Sequence, residues 1–113
     1  MFNQSQRLRL DKDFKPLFAS KHSSYDDLMG VRVIKSENNP RFGIIVSNKV
    51  SKLAVERNKL KRRTRALLHR FFRASSLKFD LVVIVLPKAK NATFQEFSLS
   101  LQQHLRKLQV LSK

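Results

Sequence analysis

The sequence predicts a small α/β domain with its elements in the order α-β-β-α-β-α, and three observations predict it. Two short strand-like runs, Met29 to Lys35 and Arg41 to Ser47, flank the turn signal Glu37-Asn38-Asn39-Pro40. The run Asp80 to Leu86, DLVVIVL, is apolar on both faces and β-branched, the pattern of a central strand covered on both sides. Two longer stretches, beginning near Ser51 and after Thr93, space their apolar residues at helical intervals.

Taken in order, residues 1–9 form a basic tail, flexible at its tip. A short helix is expected from about Asp13 to Ser20, with Phe14, Leu17 and Phe18 at helical spacing. Asp11 or Asp13 serves as its N-cap, and Pro16 favours Asp13, because proline is tolerated only in the first turn. In the first strand Met29, Val31 and Val33 share one face and Gly30, Arg32 and Ile34 the other; the first two strands are expected to pair as a hairpin. Ser51 then caps a helix of roughly 20 residues, about 30 Å long, with Leu53, Leu60, Leu67 and Phe71 as its buried seam. Pro87 ends the central strand. Thr93 and Glu96 form a capping box before the last helix, whose stripe is Phe94, Phe97, Leu101, Leu105, Leu108 and Leu111. A small extra strand fits near Tyr25 or Lys49.

At 113 residues the chain is one domain, with 42% apolar residues, too many for a disordered chain. Lys and Arg total 24 against 8 acids, a formal +16. Self-repulsion of that size is relieved by a polyanionic partner. A membrane is the wrong polyanion, since the longest uncharged apolar run, Leu81 to Pro87, is far too short to span one. Met1 to Leu10 is polar and basic, so no secretory signal is expected. The lack of cysteine excludes disulfides and a thiolate zinc site. Nucleic acid in the cytoplasm is the expected partner.

The charge is concentrated. Lys49 to Arg73 holds ten Lys or Arg and one acid, Glu56. Arg57, Lys61 and Arg65 stand four residues apart and form one row along the helix, with Asn58 and Arg62 in the row beside it. Solvated helix faces usually alternate in sign; this one repeats a single sign, presenting guanidinium forks and ammonium groups to phosphates. Asn58 adds a group that both donates and accepts toward a base edge or ribose. Phe14 and Phe18, rimmed by Lys12, Lys15 and Lys21, fit two roles: core residues, or a stacking platform for unpaired bases.

A catalytic site is not visible. Asp11/Asp13 read as capping and Asp26/Asp27 as a loop, with no histidine at ligand spacing. His69 joins the basic face, and His104 lies near the last helix's apolar stripe. Gly30 and Gly43 are the chain's two glycines, so a phosphate-cradling glycine loop is excluded.

The segment Ala54-Val55-Glu56-Arg57-Asn58-Lys59-Leu60-Lys61-Arg62-Arg63-Thr64-Arg65 resembles the signature helix of the bacterial ribonuclease P protein family. The family pattern is roughly A-x-x-R-N-x-[IL]-K-R-x-x-R, and every fixed position matches. The likeness extends through Arg7-Leu8, Asp13-Phe14 to Phe18, Phe42 to Lys49, and Asp80 to Ile84, nearly the whole chain.

The resemblance implies an α/β sandwich on a small mixed sheet with a left-handed β-α-β crossover, which general rules would not propose because such crossovers are almost always right-handed. It implies a non-catalytic subunit of an endoribonuclease, binding a catalytic RNA and the single-stranded 5′ leader of precursor tRNA and assisting the leader's removal. Arg57, Asn58, Lys61, Arg62 and Arg65 occupy the catalytic-RNA positions. Phe14 and Phe18 occupy the leader-cleft positions, with Ser47 and Lys49 on the neighbouring strand end. Mg²⁺ is expected on the RNA partner rather than on the protein, and no obligate protein partner is implied. Asn48 stands where the family often has a second basic residue. Leu86 replaces a common arginine, with Lys88 placed to cover for it. Val50 to Leu53 lacks a glycine that many members carry.

Two rivals share the charge. A structural ribosomal protein would have no leader cleft. A DNA-binding regulator would want a helix-turn-helix or a dimer face, whereas this helix is flanked by strands.

Overall fold

The computed structural model describes residues 22–35, 41–72 and 78–110. Ser23–Tyr25 form β1, Met29–Lys35 β2, Arg41–Val46 β3, Ala54–Phe72 α1, Phe79–Val85 β4 and Phe94–Lys107 α2, with a 3-10 turn at Pro87–Asn91 before α2. The expected mixed α/β class is the one adopted. The expected first helix with Phe14 and Phe18 lies outside the described residues, as does the 1–9 tail.

The sheet runs β1-β2-β4-β3. β4 is antiparallel to β2 and parallel to β3, so it separates the two strands expected to pair as a hairpin. The reason lies in β4 itself. Six of its seven residues, Phe79 to Val83 and Val85, are buried, and an edge position would expose that surface and one row of its backbone donors and acceptors. Parallel pairing of β3 with β4 then demands a crossover, and α1 supplies it. The extra strand falls at Tyr25, as β1; Lys49 lies in a turn.

Both described helices contribute to one core with Met29, Val31 and Val33 of β2, Phe42 and Val46 of β3, and Leu81, Val83 and Val85 of β4. Phe42, Phe72 and Phe79 tie β3, α1 and β4 together, with ring centroids 5.2 to 5.9 Å apart in stacked and edge-on pairs. On the opposite sheet face Val82 is fully buried, with Ile34, Ile45 and Ile84 around it.

The seam of α1 is shifted from the expected one. Leu60, Thr64, Leu67, Leu68 and Phe72 are buried, and Phe71 is half-buried. Leu53 precedes the helix and is 62% exposed. Ser51 sits three residues before Ala54, too far out to cap the helix directly; its Oγ instead accepts from the Leu53 N–H (3.1 Å) and donates to the Glu56 carboxylate. Buried Thr64 meets its hydrogen-bonding need by donating to the Leu60 carbonyl, 2.8 Å away.

The Thr93–Glu96 capping box forms as expected: Glu96 N–H donates to Thr93 Oγ1 at 3.0 Å and Thr93 N–H to Glu96 Oε1 at 2.8 Å. Phe97, Leu101 and Leu105 are buried, while Phe94, the first helical residue, projects beyond the core at 45% exposure. α2 stops earlier than its apolar stripe suggested. Gln109 adopts a left-handed φ of 62°, donating to the Arg106 carbonyl, while Val110 N–H donates to that of Leu105. That is a Schellman ending with a glutamine in the glycine position.

A polar cluster fastens α2 to the β1–β2 turn. Asp26 Oδ1 accepts from the Leu28 and Met29 N–H groups at 2.8 and 2.9 Å. Its Oδ2 accepts from Ser100 Oγ at 2.5 Å and lies 3.1 Å from Nε2 of buried His104. The His104 ring pairs through Nδ1 with Ser24 Oγ at 2.6 Å. Burial raises the Asp26 pKa, but the Ser100, Met29 and Leu28 hydrogen bonds and the His104 charge outweigh it and hold the carboxyl below its ordinary range.

Two outcomes follow from this packing. In urea denaturation Phe72→Ala should lose about 3–5 kcal/mol, whereas Leu53→Ala should stay within about 0.5 kcal/mol of the parent; equal losses would contradict the seam assigned to α1. Because the folded-state pKa of Asp26 is depressed, its stabilisation is complete above the ordinary aspartate range and disappears as pH falls through the lowered value. Asp26→Asn should therefore be less stable near neutrality and lose less stability on acidification, a difference that urea midpoints at stepped pH would reveal.

Candidate RNA interface

α1 turns one edge to the core and the remainder outward. Arg57, Lys61, Arg65 and His69 form a half-buried row directly beside the seam. Asn58, Arg62, Lys59 and Arg70 stand fully out, with Arg63 half-buried. Partial burial suits long basic side chains, which in general can cover apolar surface with their stems while the charged end stays near water. Arg57 is held in place: its Nη1 donates to the Ser51 carbonyl at 2.9 Å, leaving four N–H donors of the fork.

The described acids are largely committed elsewhere. Asp80 accepts a two-pronged pair from Arg41, Nε at 3.0 Å and Nη2 at 2.7 Å. Asp27 lies 3.4 Å from Lys88, Asp26 contacts His104, and Glu96 caps α2. Glu56, the acid within α1, is 3.5 Å from Lys90. The Ser51 hydrogen bond, only partly opposed by desolvation and aided by the charges of Lys90 and Lys59, lowers its pKa, so it stays ionised at the head of a basic helix. There it also faces the positive end of the helix dipole.

The topology gathers Ser47, Lys49 and Lys88 at the same end, while Phe14 and Phe18 lie outside the described residues. β3 and β4 are parallel, with Val46 paired to Val85, so the segments that follow them emerge together. After β3 come exposed Ser47, Asn48 and Lys49, in a turn where Ser47 Oγ accepts from the Lys49 N–H at 3.3 Å. After β4 come Leu86 and the 3-10 turn carrying Lys88 and Lys90. The Lys90–Glu56 pair joins that turn to the first turn of α1. Ser47, Lys49, Lys88 and the head of the Arg57 row thus share one end of the sheet. Lys88 and Asp27 are 73% and 79% exposed, so their pairing is weak and easily exchanged for a phosphate.

The sequence reading missed Lys90 and the Ser51 carbonyl. Ser51 reads locally as a cap, and nothing in the spacing of Lys90 from Glu56 announces their meeting. His104, expected near the apolar stripe, lies within it, in contact with Ser24 and Asp26.

The Ribonuclease P family model matches residues 2–109. The ribonuclease P protein component of Synechocystis sp. is 37% identical over 99 residues, which cover 86% of this chain and 80% of that protein. Its counterpart from Pseudanabaena sp. is 33% identical over 113 residues, covering 98% and 97%. Among solved structures, the Staphylococcus aureus RNase P protein superimposes with a TM-score of 0.85 at 28% identity, covering 96% of this chain and all of that one. The Thermotoga maritima RNase P protein gives 0.78 at 31%, covering 89% and 96%.

Proposed function

The chain belongs to the ribonuclease P protein family, and from that premise we propose that the outer face of α1 holds the catalytic RNA while the adjoining end of the sheet guides the 5′ leader of precursor tRNA. Membership makes the chain the protein subunit of an endoribonuclease ribonucleoprotein of tRNA processing, associated with the ribonuclease P RNA. The finer assignment distributes the work. Arg57, Asn58, Lys61, Arg62 and Arg65 meet the catalytic RNA. Ser47, Lys49 and Lys88 line the leader's path, together with Phe14 and Phe18, which lie outside the described residues. Convergence of the α1 row with the segments after β3 and β4 is the observation that carries this reading.

Mechanistically, the protein's part is electrostatic and positional. Two polyanions must approach each other, and a helix of one sign between them lowers their mutual repulsion. Fixing a loose leader removes part of the entropy cost of aligning the scissile bond. The described carboxylates do not fit an ion site, since each is paired or capping and they form no cluster of three possible ligands. We place the hydrolytic chemistry, with its Mg²⁺, on the RNA, as membership of the family suggests.

Affinity for the catalytic RNA should fall with salt by roughly 0.7–0.9 log units per log unit for each phosphate contact. Replacing Arg57, Lys61 and Arg65 together by alanine should flatten that dependence by about two units; an unchanged slope would place the RNA on another face. Lys49→Ala with Lys88→Ala should weaken binding of precursor tRNA more than of leaderless tRNA in the reconstituted enzyme. Equal losses for both would remove these residues from the leader's path.

A further inference from the structure

The sheet face turned away from α1 and α2 carries a second feature. Tyr25, on edge strand β1, is the chain's sole tyrosine, and the chain has no tryptophan. It lies opposite Gly30 of β2, which lies opposite Ile84 of β4, which lies opposite Ile45 of β3. These four residues make one row straight across the sheet, and Ser47 follows Ile45 by two positions.

The Tyr25 ring is laid down on that row. A Cβ at position 30 would stand 2.0 Å from ring atom Cε2, so only glycine admits the ring there. A glycine inside a strand weakens it, which makes this close approach a feature with a cost. The ring is then braced by Arg32: its Nε donates to the phenolic oxygen at 2.8 Å, and the guanidinium carbon is 5.4 Å from the ring centroid. With all this fixing, the tyrosine is still 46% exposed.

We propose that Tyr25, seated on Gly30 and braced by Arg32, is a stacking site for one unpaired nucleotide of single-stranded RNA. The exposed π-surface takes the base, and the adjoining guanidinium supplies charge toward its phosphate. An occupant of this kind suits the +16 chain better than a protein strand added to β1, which offers only three residues of edge. The site deepens the leader reading and rests on it for the identity of the strand. Tyr25 and Ile45 end a row about 14 Å wide, three strand spacings, and Ser47 lies two positions beyond Ile45, so one oligonucleotide of a few nucleotides can engage both Tyr25 and Ser47. Because the ring is oriented by Arg32 before any ligand arrives, little ordering remains to be done on binding.

Tyr25 is the chain's single strong intrinsic fluorophore, so the full-length protein reports on the site directly. Titration with a short unstructured RNA oligonucleotide should quench tyrosine emission saturably, and an abasic oligonucleotide of the same length and charge should not. Tyr25→Ala should weaken oligonucleotide binding by roughly 5- to 150-fold, the loss of one base stack, with Tyr25→Phe within about two-fold of the parent. Circular dichroism of each variant separates loss of the ring from loss of the fold. Equal quenching by both oligonucleotides, or parental affinity in folded Tyr25→Ala, overturns the proposal. Leader-dependent affinity of the reconstituted enzyme distinguishes the two readings. If it is absent in the parent while the oligonucleotide still quenches, the leader assignment fails and the stacking site stands. If it is present and unchanged in Tyr25→Ala, the stacking site fails alone.

Discussion

The constraint on which the rest depends is that β4 is buried along almost its whole length. A strand of that kind needs a neighbour on each edge and cover on each face, and the chain meets the first need by inserting β4 between β2 and β3. Insertion makes β3 and β4 parallel, parallel pairing requires a crossover, and the crossover is the basic helix. The helix that carries the cations is thereby fixed against the core through Leu60, Leu67, Leu68 and Phe72, with its orientation set by the sheet. The same parallel pairing brings the segments after β3 and β4 out beside the first turn of α1. One packing requirement thus places both the cationic face and the loops that adjoin it.

The electrostatics follow from that placement. The like charges of α1 repel one another at helical spacing, a small penalty per pair, and a nearby acid would relieve it. The described acids serve mainly in the scaffold: Asp80 anchors Arg41, Asp26 secures the β1–β2 turn to α2, and Glu96 caps α2. Glu56 is the exception, and it works at the head of the helix, joining the Ser51 turn to Lys90. Its charge helps organise the end where the strands' loops converge. Among the described residues the scarce acids thus serve mainly to hold the fold, and the exposed cations of α1 are the charges available to the proposed RNA face.

Much of this was legible in the sequence because it is local or periodic. The capping box of α2, the apolar β4 and the cationic rows of α1 each depend on residues within a few positions of one another. The misplaced elements depend on long-range choices. A turn signal between β2 and β3 suggests a hairpin unless the demands of a strand some 40 residues later are weighed. Leu53 reads as the start of a seam because periodicity does not mark where the helix begins, and the Ser51 turn delays it to Ala54. Tyr25, Gly30 and Arg32 look unrelated until the β1–β2 register sets them side by side.

The absence of native cysteine allows a direct test of which face meets the RNA. Single cysteines at Arg62 on the outer face of α1 and at Lys107 at the end of α2, each carrying a tethered hydroxyl-radical source, can be assembled with the catalytic RNA. Strand scission confined to a few sites from position 62, with little from position 107, is the expected pattern. Scission from position 107 with none from position 62 would contradict the central claim that the crossover helix is the surface laid against RNA.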